Sequence, residues 1–248
     1  MKPGLPIDPN RFRAVLFDLD GVLTATAKVH AVAWKELFDG FLERWSREHR
    51  IPFQPFSVAT DYTLYVDGKS RNDGVISFLE SRGIRLPPGD PGDPPGHPTV
   101  EGLAGTKDEI VHELLARDGV EVYPGAIALV RSLKAHGVRT AVVSSSRNCQ
   151  LVLRSAGIED LFDVRVDGEV AVEQSLPGKP RPDMFLHAAR RLGVAPGDAV
   201  VVEDALAGVR AGRAGGFGLV VGVARGADEA SLREAGADVV VNDLSEWT

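Results

Sequence analysis

From about residue 120 onward, short apolar runs alternate with stretches of helical periodicity. Residues 126–135 space their apolar side chains three and four apart, and Gly137 ends the segment. Residues 139–144 read as a buried strand and 148–156 as the next helix. A short strand over 162–166 follows, then a helix over 182–192 with Pro182 at its start and Gly193 just past its end. Strand 199–203, helix 205–214 and strands 218–222 and 238–242 complete the series. Short β-branched runs alternating with helices predict a parallel α/β sheet, and such sheets bind ligands beyond the carboxyl ends of their strands.

Residues 27–118 break the alternation. Helical patterns cover 29–45, 74–81 and 107–117, and no strand pattern lies among them. The simplest account is a helical insert between the first and second strands. The expected division is a catalytic core of residues 1–25 and 119–248 and a helical cap of 26–118. Within the insert, residues 86–98 (LPPGDPGDPPGHP) carry six prolines and three glycines, the composition of a stiffened, solvated connector.

The first strand pattern, Ala14-Val15-Leu16, runs into Phe17-Asp18-Leu19-Asp20-Gly21-Val22. Two carboxylates one residue apart at the end of a buried strand suggest a nucleophile and a cation site. Gly21 lets the backbone turn sharply enough to bring Asp20 over the same pocket. A turn that merely caps the strand is the other reading. Three later segments end in polar groups: Ser144-Ser145-Ser146, the loop Gly178-Lys179-Pro180, and Glu203-Asp204. Singly, these read as a turn former, a solvated lysine and a helix cap. In a parallel sheet they converge on one rim. Their carboxylates suit an oxygen-ligated Mg²⁺, and the hydroxyl and ammonium suit phosphate oxygens.

Composition narrows the class without changing this picture. The 248 residues are 44% hydrophobic and 25% charged, ordinary for a globular chain. Lys plus Arg total 28 against 35 Asp plus Glu, and a net charge of −7 argues against a broad nucleic-acid surface. The single cysteine, Cys149, excludes an internal disulfide and reads as a small buried hydrophobe rather than a reactive thiol. No apolar stretch approaches the ~18 residues of a membrane span. Residues 1–6 lack the apolar core of a signal peptide. A cytoplasmic protein with no evident obligate protein partner is the default expectation.

The order Asp-x-Asp-Gly-Val, strand-end Ser, Lys-Pro and Glu-Asp resembles the haloacid dehalogenase superfamily, in its β-phosphoglucomutase-like branch. The resemblance implies a Rossmann-like parallel-sheet core with an inserted helical cap. It implies Asp18 as nucleophile and Asp20 as general acid/base, lending its backbone carbonyl to Mg²⁺. Ser144 and Lys179 would contact the transferring phosphoryl, and Glu203 and Asp204 would hold Mg²⁺ together with Asp18. In the cap, His30 and Trp34 match the entering segment, Arg71 the arginine that grips the phosphate not being transferred, and Lys107 an assisting lysine. Ser145, Ser146, Arg147 and Asn148 are assigned with them to substrate binding. Ala25, Gly74, Arg147 and Ala205 depart from the family pattern and leave substrate preference open. The implied activity is a mutase interconverting β-glucose 1-phosphate and glucose 6-phosphate through a bisphosphate. A phosphatase of a small sugar phosphate is the alternative, and a non-catalytic phosphometabolite-binding protein a remote one.

Overall fold

The computed structural model describes residues 7–247; residues 1–6, read above for a signal peptide, lie outside them. The chain divides into two compact units, one of Met1–Ala25 with Val120–Thr248, the other of Thr26–Gly119.

In the first unit, six parallel strands stand in the order β3-β2-β1-β4-β5-β6. They are β1 (Ala14–Phe17), β2 (Arg139–Val143), β3 (Val164–Val166), β4 (Ala199–Glu203), β5 (Leu219–Val223) and β6 (Val239–Val241). This is the doubly wound order, which reverses between β1 and β4. The central strands need residues that tolerate burial on both faces, which is why β1 and β4 are fully buried runs of Ala, Val, Leu and Phe, with Glu203 ending β4. Helices α4 (Pro124–Ala135), α5 (Cys149–Ser155), α6 (Gly168–Glu173), α7 (Asp183–Leu192), α8 (Leu206–Ala214) and α9 (Glu229–Ala235) connect the strands.

The second unit contains α1 (Ala27–His49), a wide helical turn at Tyr62–Val66, α2 (Arg71–Ser81) and α3 (Val100–Asp118). Its core is aromatic: Trp34 stacks on Phe38 at 5.1 Å, and Phe38 meets Phe56 and Phe78 at 5.3 and 4.2 Å.

Several boundaries differ from the sequence pattern for local reasons. Helix α2 starts at Arg71 because the Ser70 hydroxyl accepts from Asp73 N. Helix α3 starts at Val100, seven residues before the apolar pattern becomes visible, because Thr99 caps it by accepting from Gly102 N. Gly102 hides that start from a propensity reading, yet a Cβ there would lie 2.5 Å from His97 O. Helices α6 and α9 carry no apolar pattern long enough to announce them. The proline-rich segment is solvent-exposed but pinned: Val100 N and Glu101 N donate to Pro87 O and Pro88 O, and Asp93 accepts from Thr99 Oγ1 at 2.6 Å. Among the described residues, no helix is long and apolar enough to cross a membrane.

Candidate active site

The three central strands bring their carboxyl ends to one edge. Phe17 is in register with Val142 of β2 and Val202 of β4, so Asp18, Val143 and Glu203 fall side by side, with Ser144 one residue further on. Asp18 N donates to Val202 O, and Ser144 N to Val166 O, carrying the pairing one residue past β1 and β2. Beyond Asp18 the chain folds back on itself. Gly21 N donates to Thr24 O at 2.7 Å, and Leu23 and Thr24 donate their N–H groups to Leu19 O. Gly21 has φ +90°, and a Cβ there would lie 1.8 Å from Asp204 Oδ2. Only glycine meets both conditions.

Lys179 ties the edge together. Its side chain is fully buried, and its ammonium donates to Asp18 Oδ1 at 2.5 Å, Glu203 Oε1 at 2.6 Å and Val143 O at 3.1 Å. These use all three ammonium hydrogens. The Lys179–Pro180 peptide bond is cis. Glu203 is oriented from its other side, where Oε2 accepts from Asp204 N and Ala205 N, both at 3.0 Å. The helix that follows leaves room for this carboxylate at Gly208, where a Cβ would fall 1.7 Å from Glu203 Oε1.

That contact reverses the usual sign of a helical Gly→Ala change. Propensity alone favours Ala over Gly by about 1 kcal/mol. At Gly208 the intruding methyl meets an oxygen already held by Lys179. Gly208→Ala is therefore expected to destabilise the chain by about 2–4 kcal/mol and to cost activity. Equilibrium denaturant unfolding checks the sign; a variant at least as stable as wild type refutes the packing argument.

Carboxylate oxygens of Asp18, Glu203 and Asp204 lie within 4.8 Å of one another, and all three residues are buried. Burial pushes the Asp18 carboxyl well above the usual carboxylate range; Glu203 and Asp20 push the same way, and the Lys179 ammonium pulls against them. Burial alone would depress Lys179, but Asp18 and Glu203 outweigh it and raise its pKa, so it is an ammonium at neutral pH. Three crowded carboxylates against one ammonium leave a deficit of positive charge, and the donor set is all oxygen, without His or Cys. These residues fit a hard divalent cation such as Mg²⁺.

Ser144 faces the same space. Its hydroxyl donates to Asp20 Oδ2 at 3.3 Å and accepts from Ser146 N at 3.1 Å, and Ser146 Oγ accepts from Asn148 N. The loop of Ser145, Ser146, Arg147 and Asn148 rests on the turn after β3. Gly168 N donates to Ser146 O, and a Cβ on Gly168 would press on Ser145 O and Arg147 N. Asp167, fully buried, caps α6 and pairs with Arg165 Nε at 3.2 Å. Sequence reasoning passed over Asp167. Its signal was Asp-Gly after an apolar strand, the pattern that marked Asp20-Gly21. Burial also pushes the Cys149 thiol well up, with Asp167 and Asp20 adding to it, so this cysteine is not a poised nucleophile.

The residues of the insert assigned to substrate form two groups. Lys107 Nζ lies 2.8 Å from His30 Nδ1 and 5.1 Å from the Trp34 ring centroid, over its face. Trp34 itself is 3% exposed and part of the aromatic core. Its indole packs in that core and carries the Lys107 ammonium over its face. This also explains the departure at Gly74, where a Cβ would lie 2.8 Å from the indole. Arg71, at the first turn of α2, pairs through Nη1 with Asp108 of α3 at 2.5 Å.

Residues 12–216 match the family model of the haloacid dehalogenase-like hydrolases. The chain belongs to the haloacid dehalogenase-like hydrolase family. Within it, the chain is 50% identical over 241 residues to a β-phosphoglucomutase of Mycobacterium bovis, covering 96% of this chain and 92% of that one. A crystal structure of β-phosphoglucomutase from Clostridium difficile matches with TM-score 0.73 and 25% identity over 96% of this chain and 93% of the other. CbbY from Rhodobacter sphaeroides, in complex with xylulose-(1,5)bisphosphate, matches with TM-score 0.69 and 25% identity over 95% and 96%. The chain is a phosphoryl-transfer enzyme of the β-phosphoglucomutase-like branch, with the α/β core and inserted helical cap of that fold.

Proposed function

We propose that this enzyme is a Mg²⁺-dependent mutase that interconverts β-glucose 1-phosphate and glucose 6-phosphate through a glucose bisphosphate. The observation that carries the reading is the pairing of buried Asp18 with Lys179, with Asp20 two residues on across the Gly21 turn. Likeness to a mycobacterial β-phosphoglucomutase at 50% identity supports the substrate.

In this reading an Asp18 carboxylate oxygen attacks phosphorus of the bisphosphate. The P–O bond to the sugar breaks, Asp20 protonates the departing sugar oxygen, and an aspartyl-phosphate remains on Asp18. Glucose 6-phosphate leaves and β-glucose 1-phosphate takes its place; its 6-hydroxyl gives its proton to Asp20, that oxygen takes the phosphoryl as the bond to Asp18 breaks, and the bisphosphate so formed is released and rebound in the opposite sense. Lys179 and Ser144 neutralise and orient the phosphoryl oxygens. Side chains of Asp18, Glu203 and Asp204 and the backbone carbonyl of Asp20 would hold Mg²⁺, which when bound supplies positive charge against the phosphoryl group. Ser145, Ser146, Arg147 and Asn148 extend the surface that receives the sugar phosphate, and His30 and Lys107 are assigned to substrate binding as well.

The test is a product assay with β-glucose 1-phosphate, with and without glucose 1,6-bisphosphate, and with chelator followed by added Mg²⁺. Glucose 6-phosphate formation that needs both the bisphosphate and Mg²⁺ supports the mutase. Free phosphate at a comparable rate identifies a phosphatase instead, and activity with Zn²⁺ but not Mg²⁺ overturns the metal assignment.

Arg71 separates the two acceptors, sugar and water. A mutase must hold the phosphate that is not reacting, and the planar guanidinium suits that contact. Arg71→Ala is expected to weaken bisphosphate binding by about 10- to 150-fold, the equivalent of roughly 1.5–3 kcal/mol for a hydrogen bond to a charged group. Hydrolysis of a small monophosphate should change far less. Equal losses on both substrates show that Arg71 does not read a second phosphate.

A further inference from the structure

We infer that Asp108 sets how firmly the distal phosphate of a sugar bisphosphate is held, by occupying one edge of Arg71 and opposing the charge of the ligand. The inference rests on the reading of Arg71 given above.

Arg71 and Asp108 come from different helices, and their side chains are only 17% and 27% exposed. The contact uses Nη1 alone. Arg71 Nε is buried and donates no hydrogen bond. A buried N–H left without an acceptor is costly, so an arginine held this way is set for a second acceptor at its Nε edge. Nε and the outer nitrogen beside it form the fork that takes two oxygens of a phosphate. Asp108 on the opposite side fixes the plane of the fork. Arg71 lies directly after the Ser70 cap, and Asp108 directly after Lys107, whose ammonium is engaged with His30 and Trp34. Both members of the pair therefore project from anchored backbone.

The chemistry has two opposed consequences. Asp108 orients the guanidinium, which favours binding. It also places a negative charge behind the cation that must hold a phosphate dianion, which disfavours binding. A bisphosphate that is released and rebound in the opposite sense within each cycle requires a distal contact of limited strength. A counter-carboxylate on Arg71 provides that limit without loss of orientation.

Asparagine separates the two effects. In Asp108→Asn the amide oxygen can keep its place against Arg71 Nη1, but the charge is gone. The experiment measures binding of glucose 1,6-bisphosphate in the presence of Mg²⁺ by calorimetry. The full chain carries Asp18→Asn to prevent turnover, with and without Asp108→Asn. The expected result is binding about 3- to 30-fold tighter with Asn at 108, at an unchanged melting temperature. The gain should shrink as salt is raised from about 20 to 300 mM and vanish when Arg71 is Ala. In the otherwise native chain, Asp108→Asn should lower the KM for the bisphosphate and lower kcat with it. Asp108→Ser, judged by the same criteria but with orientation also lost, serves if the Asn variant does not fold. Unchanged or weaker bisphosphate binding by a folded Asp108→Asn overturns the inference, as does tightening that persists without Arg71. If Arg71→Ala leaves bisphosphate binding unchanged, the distal-site reading itself fails. If Arg71→Ala weakens binding and Asp108→Asn does not strengthen it, only the role of Asp108 fails.

Discussion

Asp18→Asn is expected to lower turnover by at least about 10⁴-fold, or some 5.5 kcal/mol in the barrier, while the protein stays folded and still binds substrate. The amide is nearly isosteric with the carboxylate, and its oxygen can keep the hydrogen bond from Lys179. What it cannot do is attack phosphorus. Stability should hold within about 1 kcal/mol because two effects offset each other. Removing the charge relieves a carboxyl that burial, Glu203 and Asp20 all disfavour in its ionised form. It also takes one of two anionic partners from Lys179, which retains Glu203 at 2.6 Å and Val143 O at 3.1 Å. Kinetics, a melting curve and intact-mass analysis after incubation with bisphosphate check the three parts. Turnover within about tenfold of wild type would remove Asp18 from the role of nucleophile. Loss of folding would show instead that its charge is needed to hold the strand edge together.

How much of this arrangement was legible in the chain depends on how local each cause is. The Asp18-Leu19-Asp20-Gly21 turn could be read because its determinants sit within four residues: a buried strand, two carboxylates and a glycine at φ +90°. Lys179 and Glu203 could be picked out by type and order, but not their contact, since 24 residues separate them and only the strand order brings them to 2.6 Å. That order is a property of crossovers, which periodicity does not encode. Glycines misled in two ways. Gly102 blurred the start of α3, where it is needed for close approach to His97, and Gly208 gave no sign that it makes room for the Glu203 carboxylate. Trp34 lies four residues from His30 on one helix face and four from Phe38, on which it stacks, spacings the sequence shows; its fit over Gly74 depends on α2 and is not local. Asp108 drew no notice because a lone exposed-type acid next to a lysine has no pattern; its meaning lies in reaching α2.

Lys179 carries the other large expected effect, and its sign depends on pH. In Lys179→Met the side chain keeps most of its volume, and the Asp18 and Glu203 carboxylates lose the ammonium between them. Breaking one side of a buried ionic cluster typically costs about 3–5 kcal/mol. Phosphoryl transfer should fall at least about 10³-fold as well, since the developing charge loses its nearest fixed cation. In the wild type, Lys179 has a raised pKa in the folded state. Its contribution to stability is therefore fully present below the unfolded lysine value of about 10.4 and is lost as pH rises through the folded value. In the variant the controlling groups are the carboxyls. Without the ammonium that now pulls Asp18 down, its folded pKa moves further up. The resulting penalty is present above the unfolded carboxyl range of about 4 and is relieved as pH falls through the raised folded values. The stability gap between wild type and variant should thus narrow from about pH 8 to about pH 5, as the Asp18 carboxyl, raised further in the variant than in the wild type, takes up its proton at higher pH in the variant. Denaturant unfolding of both proteins at the two pH values measures this directly. A gap that stays constant across that interval would mean that the loss comes from packing around Phe185, over whose ring the Lys179 ammonium lies at 5.0 Å, and not from unpaired charge at the strand edge.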